Sequence, residues 1–210
     1  MRCGAPRASL SVPLWLIIFI ACCGLGPNRA HAQNVIGAQI VGQPLVYMKA
    51  GKLDGCGIRL MIVDTPPSFN DKRPVPVWDL SFNLYLPGNG AVKVGSYNVS
   101  PAELKSGKPS AKPIGVPTAS GWLKAPNADA TAPLSQIGKS EDPGFILYWT
   151  ELDSVLALFK SYMSGEAILV GTRRTGAKSD RIFSGPIEMA ESEKRQVDQC
   201  LTEFLAVTTK

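Results

Sequence analysis

The sequence predicts an α+β fold, mainly antiparallel: a β-sandwich-like sheet of five to seven strands with two amphipathic helices in the C-terminal part. Three observations lead there. Trp78, Leu80, Phe82, Leu84 and Leu86 alternate with Val77, Asp79, Ser81, Asn83 and Tyr85, the period of a strand with one buried face. Leu152, Val155, Leu156, Phe159 and Met163 recur at helical spacing, as do Val197, Cys200, Leu201, Phe204 and Leu205. The strand-like runs cluster ahead of the helical ones and are separated by turn compositions, which favours hairpins over crossover units.

In chain order, residues 33–38 read as a loose lead, and Gln39 to Lys49 as one irregular strand interrupted by Pro44. Ile58 to Asp64 is short, apolar and β-branched, a strand stopped by Thr65-Pro66-Pro67. Ser68 to Pro76 is a polar loop. The alternating run at 77–86 and the return at 91–99 flank Pro87-Gly88-Asn89-Gly90 and predict a β-hairpin. Residues 100–144 hold seven Pro and five Gly and read as a long loop or insertion, with Trp122 pinning it to the core. Phe145 to Trp149 is a buried strand. Thr150 with Asp153 forms a capping box for the helix that follows, and Gly165 ends that helix. Glu166 to Thr172 and Asp180 to Ile187 are strands around a polar turn. A last helix covers 190–206.

The first 32 residues follow the order of a secretory leader: Arg2 and Arg7, the apolar run Leu14 to Ile20, then Gly24, Gly26 and Pro27 before Ala30-His31-Ala32. The apolar run falls short of the roughly 20 residues that span a bilayer. An uncleaved anchor and a lipid-modified Cys22 are the competing readings. Cleavage after Ala32 leaves a single exported, periplasmic domain at 33–210 with no transmembrane span. It also removes three arginines and no acid, so the net charge falls from +5 to +2. A nucleic-acid partner loses its electrostatic support with them.

The single histidine, His31, leaves with the leader. A Ser-His-Asp triad, a Cys-His dyad and a His-ligated metal site are therefore excluded from 33–210. Of five cysteines, Cys56 and Cys200 remain. In an exported chain two cysteines most simply form one disulfide; the alternative is two separate buried thiols. Neither a metal site nor a cofactor motif is legible. Gly138-Lys139-Ser140 ends like a phosphate loop, but Pro133 stands where that motif needs glycine.

Two groups of residues could act. Arg173, Arg174, Lys178 and Arg181 crowd the last hairpin, and Lys105, Lys108 and Lys112 line the long segment; such charge can hold an anionic envelope polymer, lipid head groups or an envelope protein, and is weighed against ordinary solubilising charge at exposed tips. Asp79, beside Ser81 and Asn83 on the outer face of the best strand, is the candidate carboxylate of a glycan site with Tyr85 and Trp122, weighed against a plain solvated strand face.

From Leu152-Asp153 the chain runs through an amphipathic helix, Ser164-Gly165-Glu166-Ala167, an apolar strand, Thr175-Gly176, and Phe183-Ser184-Gly185 before a helix. Over about 55 residues this resembles the C-terminal half of small exported proteobacterial proteins of the invasion-associated locus B type, and Leu86-Pro87-Gly88 is a second echo. The paired Cys-x-Trp elements of that group are absent; Cys56 stands alone. The resemblance implies a periplasmic, β-rich accessory protein and transfers no catalytic residue. The expectation is a non-enzymatic accessory or binding protein of the cell envelope without a cofactor. Its sites would be Arg173, Arg174, Lys178, Arg181 and Trp122. The alternative is a carboxylate-dependent hydrolase or binding protein for cell-wall glycan.

Overall fold

The computed structural model describes residues 34–64, 73–106, 115–136 and 140–208. The expected leader at 1–32 with Cys22, together with Lys108, Lys112 and Lys139, lies outside them, as does the side chain of Lys105. The chain begins with β1 (Val35–Gly37), β2 (Ile40–Lys49), β3 (Lys52–Val63), β4 (Val75–Tyr85) and β5 (Asn89–Val99). It continues through α1 (Pro101–Ser106), β6 (Thr118–Lys124), β7 (Ser135–Gln136) and β8 (Ile146–Thr150). It closes with α2 (Leu152–Ser164), β9 (Ile168–Arg174), β10 (Arg181–Gly185), β11 (Ile187–Glu188) and α3 (Glu191–Thr208).

The fold is α+β, as expected, but the described residues form eleven strands in two sheets instead of five to seven in one. A seven-stranded sheet has the order β11-β2-β3-β4-β5-β8-β7, and a four-stranded sheet the order β1-β10-β9-β6. All pairings are antiparallel except two. β1 lies parallel to β10, and β11 parallel to β2. The segments 35–41 and 182–188 thus run side by side from the small sheet into the large one, Ile36 opposite Phe183 and Ile40 opposite Ile187. The residues expected as a loose lead are therefore the start of this ribbon. A short parallel pairing of this kind carries no period-two signal in the sequence.

One face of the large sheet, the inner face, carries the core. Leu60, Trp78, Leu80, Phe82 and Val94 share a buried cluster with Leu123, Ile168, Val170 and Phe183 of the small sheet. Trp78 meets Phe183 at 6.5 Å between ring centroids, an arrangement that suits the quadrupoles of the two rings. The helices cover the rest of the same face. Phe159 of α2 packs edge-on against Phe82 at 4.9 Å, and Val197, Cys200, Leu201 and Phe204 of α3 are buried in the cluster. Cys56 and Cys200 are bonded, which fastens α3 to β3.

Four local expectations are corrected. β2 is continuous through Pro44, which pairs with Ile58 where β2 has no second strand beside it and its missing N–H costs no ladder bond. The segment 100–144 is more than a loop: it contains α1, β6 and β7, and β6 is an edge of the small sheet. Of its described prolines, Pro117, Pro126, Pro133 and Pro143 fall between the elements, and Pro101 takes the first position of α1, where proline is tolerated. Thr150 closes β8 and caps nothing; Glu151 is the N-cap of α2 and its side chain makes no capping bond. The reciprocal box is instead at α1, where Ser100 Oγ accepts from the Glu103 N–H and the Ser100 N–H donates to Glu103 Oε2. Last, the buried stripe of α2 is Val155, Leu158, Phe159 and Tyr162, and Leu156 and Met163 stay exposed. Gly165 does end α2, in the left-handed region at φ 69°.

Candidate functional site

Successive side chains of a strand point to opposite faces, so the apolar run of β4 places Asp79, Ser81 and Asn83 together on the outer face of the large sheet. The solvated face weighed for them is not what the structure shows. They are 8%, 5% and 2% exposed. A buried polar row needs partners, and each member has them.

Asp79 is held by Arg59 from the neighbouring strand β3, with Nε donating to Oδ1 at 2.9 Å and Nη2 to Oδ2 at 2.5 Å. The fork matches the carboxylate geometry, and the bond to Asp79 raises the Arg59 guanidinium further above its ordinary value. Asn83 accepts from the Tyr47 hydroxyl at 2.9 Å and donates to Ser81 Oγ at 3.0 Å. Gly57 makes this possible: a side chain there would collide with the Asn83 amide.

Around this row stands an aromatic rim. Tyr47 and Tyr85 pack at 4.9 Å, and Tyr85 meets Trp149 edge-on at 5.9 Å. Burial pushes the hydroxyls of Tyr47, Tyr85 and Tyr97 above the ordinary phenol value. On the other side Lys93 donates to Asp142 at 2.5 Å and lies 5.2 Å from the centroid of Phe145, whose ring rests on Gly95. Arg59, Asp79, Tyr97, Asp142 and Phe145 border a cleft of about 150 Å³. Pockets that bury a drug-sized ligand start near about 300 Å³, so this cleft is smaller than those. The cluster as a whole balances two cations with two carboxylates.

The hairpin cations do not form one patch. Arg174 reaches from the small sheet to the large one, donating to Ser96 Oγ at 2.9 Å, Asn98 Oδ1 at 3.0 Å and the Tyr97 carbonyl at 3.3 Å, with its guanidinium 5.2 Å from the Trp78 ring. Burial lowers its pKa. Arg181 also reaches from the small sheet to the large one, at the end of β3, donating to Asp64 at 2.6 Å over the ring of Phe183. Asp64 is 6% exposed, so Arg181 neutralises a buried carboxylate. Arg173 pairs with Asp180 at 3.4 Å. Lys178 is exposed at the tip of the turn. Trp122 lies across Gly171 on the outer face of the small sheet and donates to Asp180 Oδ2 at 2.9 Å. It is thus a neighbour of Arg173 through Asp180, and stands on β6 of the small sheet, whereas the Asp79 row is on β4 of the large one.

The sequence shows neither Arg59 nor Tyr47 as a partner of the Asp79 row. The usable signal was glycine: Gly55, Gly57 and Gly95 on flanking strands mark where large side chains lie flat on the sheet. Among the described residues no group of three or more His, Cys, Asp or Glu side chains is placed to hold a metal ion, and no helix is long and apolar enough to cross a membrane. No family model, no curated protein and no solved structure matches the chain.

Proposed function

We propose that the chain is an exported, non-enzymatic binding protein of the cell envelope, and that it engages its partner through the outer face of the seven-stranded sheet. The observation that carries this reading is the bidentate Arg59–Asp79 pair. Proton transfer needs a carboxylate free to exchange its proton with a substrate, and both oxygens of Asp79 are already acceptors in a charge-assisted fork. What the face offers instead is recognition: Tyr47, Tyr85, Trp149 and the arginine Arg59, residue types enriched at protein interfaces. The internal pairing of Arg173, Arg174 and Arg181 favours a protein partner over an anionic polymer. Export and the periplasmic location belong to the same proposal, supported by the leader-like N-terminus and the Cys56–Cys200 bond, as does the resemblance of 152–206 to the invasion-associated locus B type, which rests on its sequence motifs.

A second reading, glycan binding without hydrolysis, is favoured by the Tyr47–Tyr85–Trp149 cluster beside Asn83, since aromatic faces and planar amides suit sugar rings. Crosslinking of the tagged protein in intact cells separates the two. The proposal expects one reproducible protein to co-purify, and to be lost on substituting Leu45→Lys and Met61→Lys, positions paired with Gly57 and Asp79 and so on the outer face. Glycan retained with no protein would transfer the assignment to the second reading, and a protein retained by the double variant would remove the outer face from it.

A further inference from the structure

The two C-terminal helices leave a groove between them. It encloses about 720 Å³ over a floor that includes Leu84, Phe159 and Ile187, and it is walled by Tyr162 of α2 and Leu201 of α3. Its lips are apolar and open to solvent: Met163 of α2 is 60% exposed and Leu205 of α3 is 52% exposed, with Leu156 further along α2 at 37%. This is where the observed burial of α2 departs from its sequence stripe. Leu156 and Met163 are spaced for a core and are instead left on the groove. An apolar trough with exposed lips on two helices is the shape that receives the apolar face of a third.

Charge selects among such helices. Residues 151–166 and 188–208, which carry α2 and α3 with their flanks, hold eight acidic and three basic side chains, in a chain that is +5 overall. Asp198 lines the groove itself. Lys194, also on the lining, is engaged by Glu191 at 2.6 Å. The Tyr162 hydroxyl, on the groove wall, is pushed up to about 12, by burial first and then by the charges of Asp198, Glu191 and Glu193. On the lining itself Asp198 and Lys194 balance, and Glu191, paired with Lys194, tips the α3 side of the trough to negative charge.

We infer that the groove between α2 and α3 is a docking site for a basic amphipathic helix of a partner protein. The apolar face of that helix would enter over Leu84 and Ile187, and its lysines or arginines would meet the acidic rim of α3. The inference is independent of the outer sheet face, which lies on the opposite side of the seven-stranded sheet from both helices.

The test uses the protein purified from exporting cells and a labelled peptide matching the 18 residues of α3 in length, built from leucine and lysine in amphipathic helical order. A second peptide carries glutamate in place of lysine, and dodecanoate is the apolar control. Fluorescence anisotropy is expected to show the lysine peptide binding at least about tenfold more tightly than the glutamate peptide, with weakening as salt is raised. Met163→Lys/Leu205→Lys is expected to reduce that binding by about tenfold or more, because it places two cations on the lips. Both positions are already exposed, so circular dichroism of this variant should be unchanged. Lys178→Glu, at the exposed tip of the last hairpin turn, should leave binding as it was. Equal affinity for the two peptides, insensitivity to the lip substitutions, or dodecanoate binding without peptide binding would each overturn the inference.

Discussion

Arg59 grips both carboxylate oxygens of Asp79 across the diagonal of two adjacent strands, Nε to Oδ1 at 2.9 Å and Nη2 to Oδ2 at 2.5 Å. The Asp79 side chain is 12% exposed and that of Arg59 is 40% exposed, so the pair sits at the border of the solvent with its acid inside. Removing the base alone strands a largely buried carboxylate. Arg59→Met is expected to lower stability by about 2 kcal/mol in urea unfolding, and Arg59→Met/Asp79→Leu to lower it by less. Strict additivity of the two single substitutions would mean the pair contributes no coupling.

Arg174 joins the two sheets through three hydrogen bonds and the face of Trp78. Arg174→Ala should cost about 2–3 kcal/mol, with the melting temperature falling by about 5–10 °C. Arg174→Lys should recover little of it, because an ammonium cannot serve Ser96, Asn98 and the Tyr97 carbonyl from one plane. Lys178→Glu, at the exposed tip, is the control and should leave the melting temperature unchanged.

The Cys56–Cys200 bond closes a separation of 144 residues. In the chain-entropy model such a loop is worth about 4–5 kcal/mol, and native disulfides commonly deliver about 2–5. Cys56→Ala/Cys200→Ala should therefore unfold at lower denaturant. Hydrogen exchange should show amides of α3 losing protection before those of β4 and β5, since α3 is held to β3 by this bond and one apolar stripe, while β4 is buried on both faces. Uniform loss across all elements would contradict that order.

All five tyrosines have hydroxyl pKa values raised by burial, Tyr148 to about 12. A raised folded value means the neutral phenol is favoured in the native state. The stability this contributes is complete below the unfolded value of about 10 and is lost as pH climbs from there towards 12. Native protein at pH 10 should show little tyrosinate absorbance, and unfolding free energy should decline from pH 10 upward. Tyr148→Phe should also lose the bond to the Gly121 carbonyl that ties β8 to β6.

The sequence was most legible where one physical signal acted alone. The alternation at 77–86 marks β4, and the turn composition after it marks the β4–β5 hairpin. The helical stripes mark α2 and α3, and two residual cysteines mark the disulfide. It was least legible where long-range pairing decided the outcome. β1 and β11 are two or three residues long and exist because of their parallel partners. β6 is hidden among prolines, and its Gly121 is required because Val94 of the other sheet occupies the space of a side chain. The same limit applied to the sites. Asp79 was recognisable as a polar residue on a strand, but its partner Arg59 is 20 residues away in sequence and is set beside it by the register of β3. The hairpin arginines read as a free basic cluster because sequence proximity does not reveal Asp64, Ser96 and Asn98 as their partners.

The central claim is that the outer face of the seven-stranded sheet is the recognition face. A photo-crosslinking residue placed singly at Val41, which is 40% exposed on that face, and at Asp129, on an exposed loop, tests it in intact exporting cells. The account predicts one discrete protein adduct from position 41 and none from position 129. Adducts of the same partner from position 129 alone, or none from position 41, would contradict it.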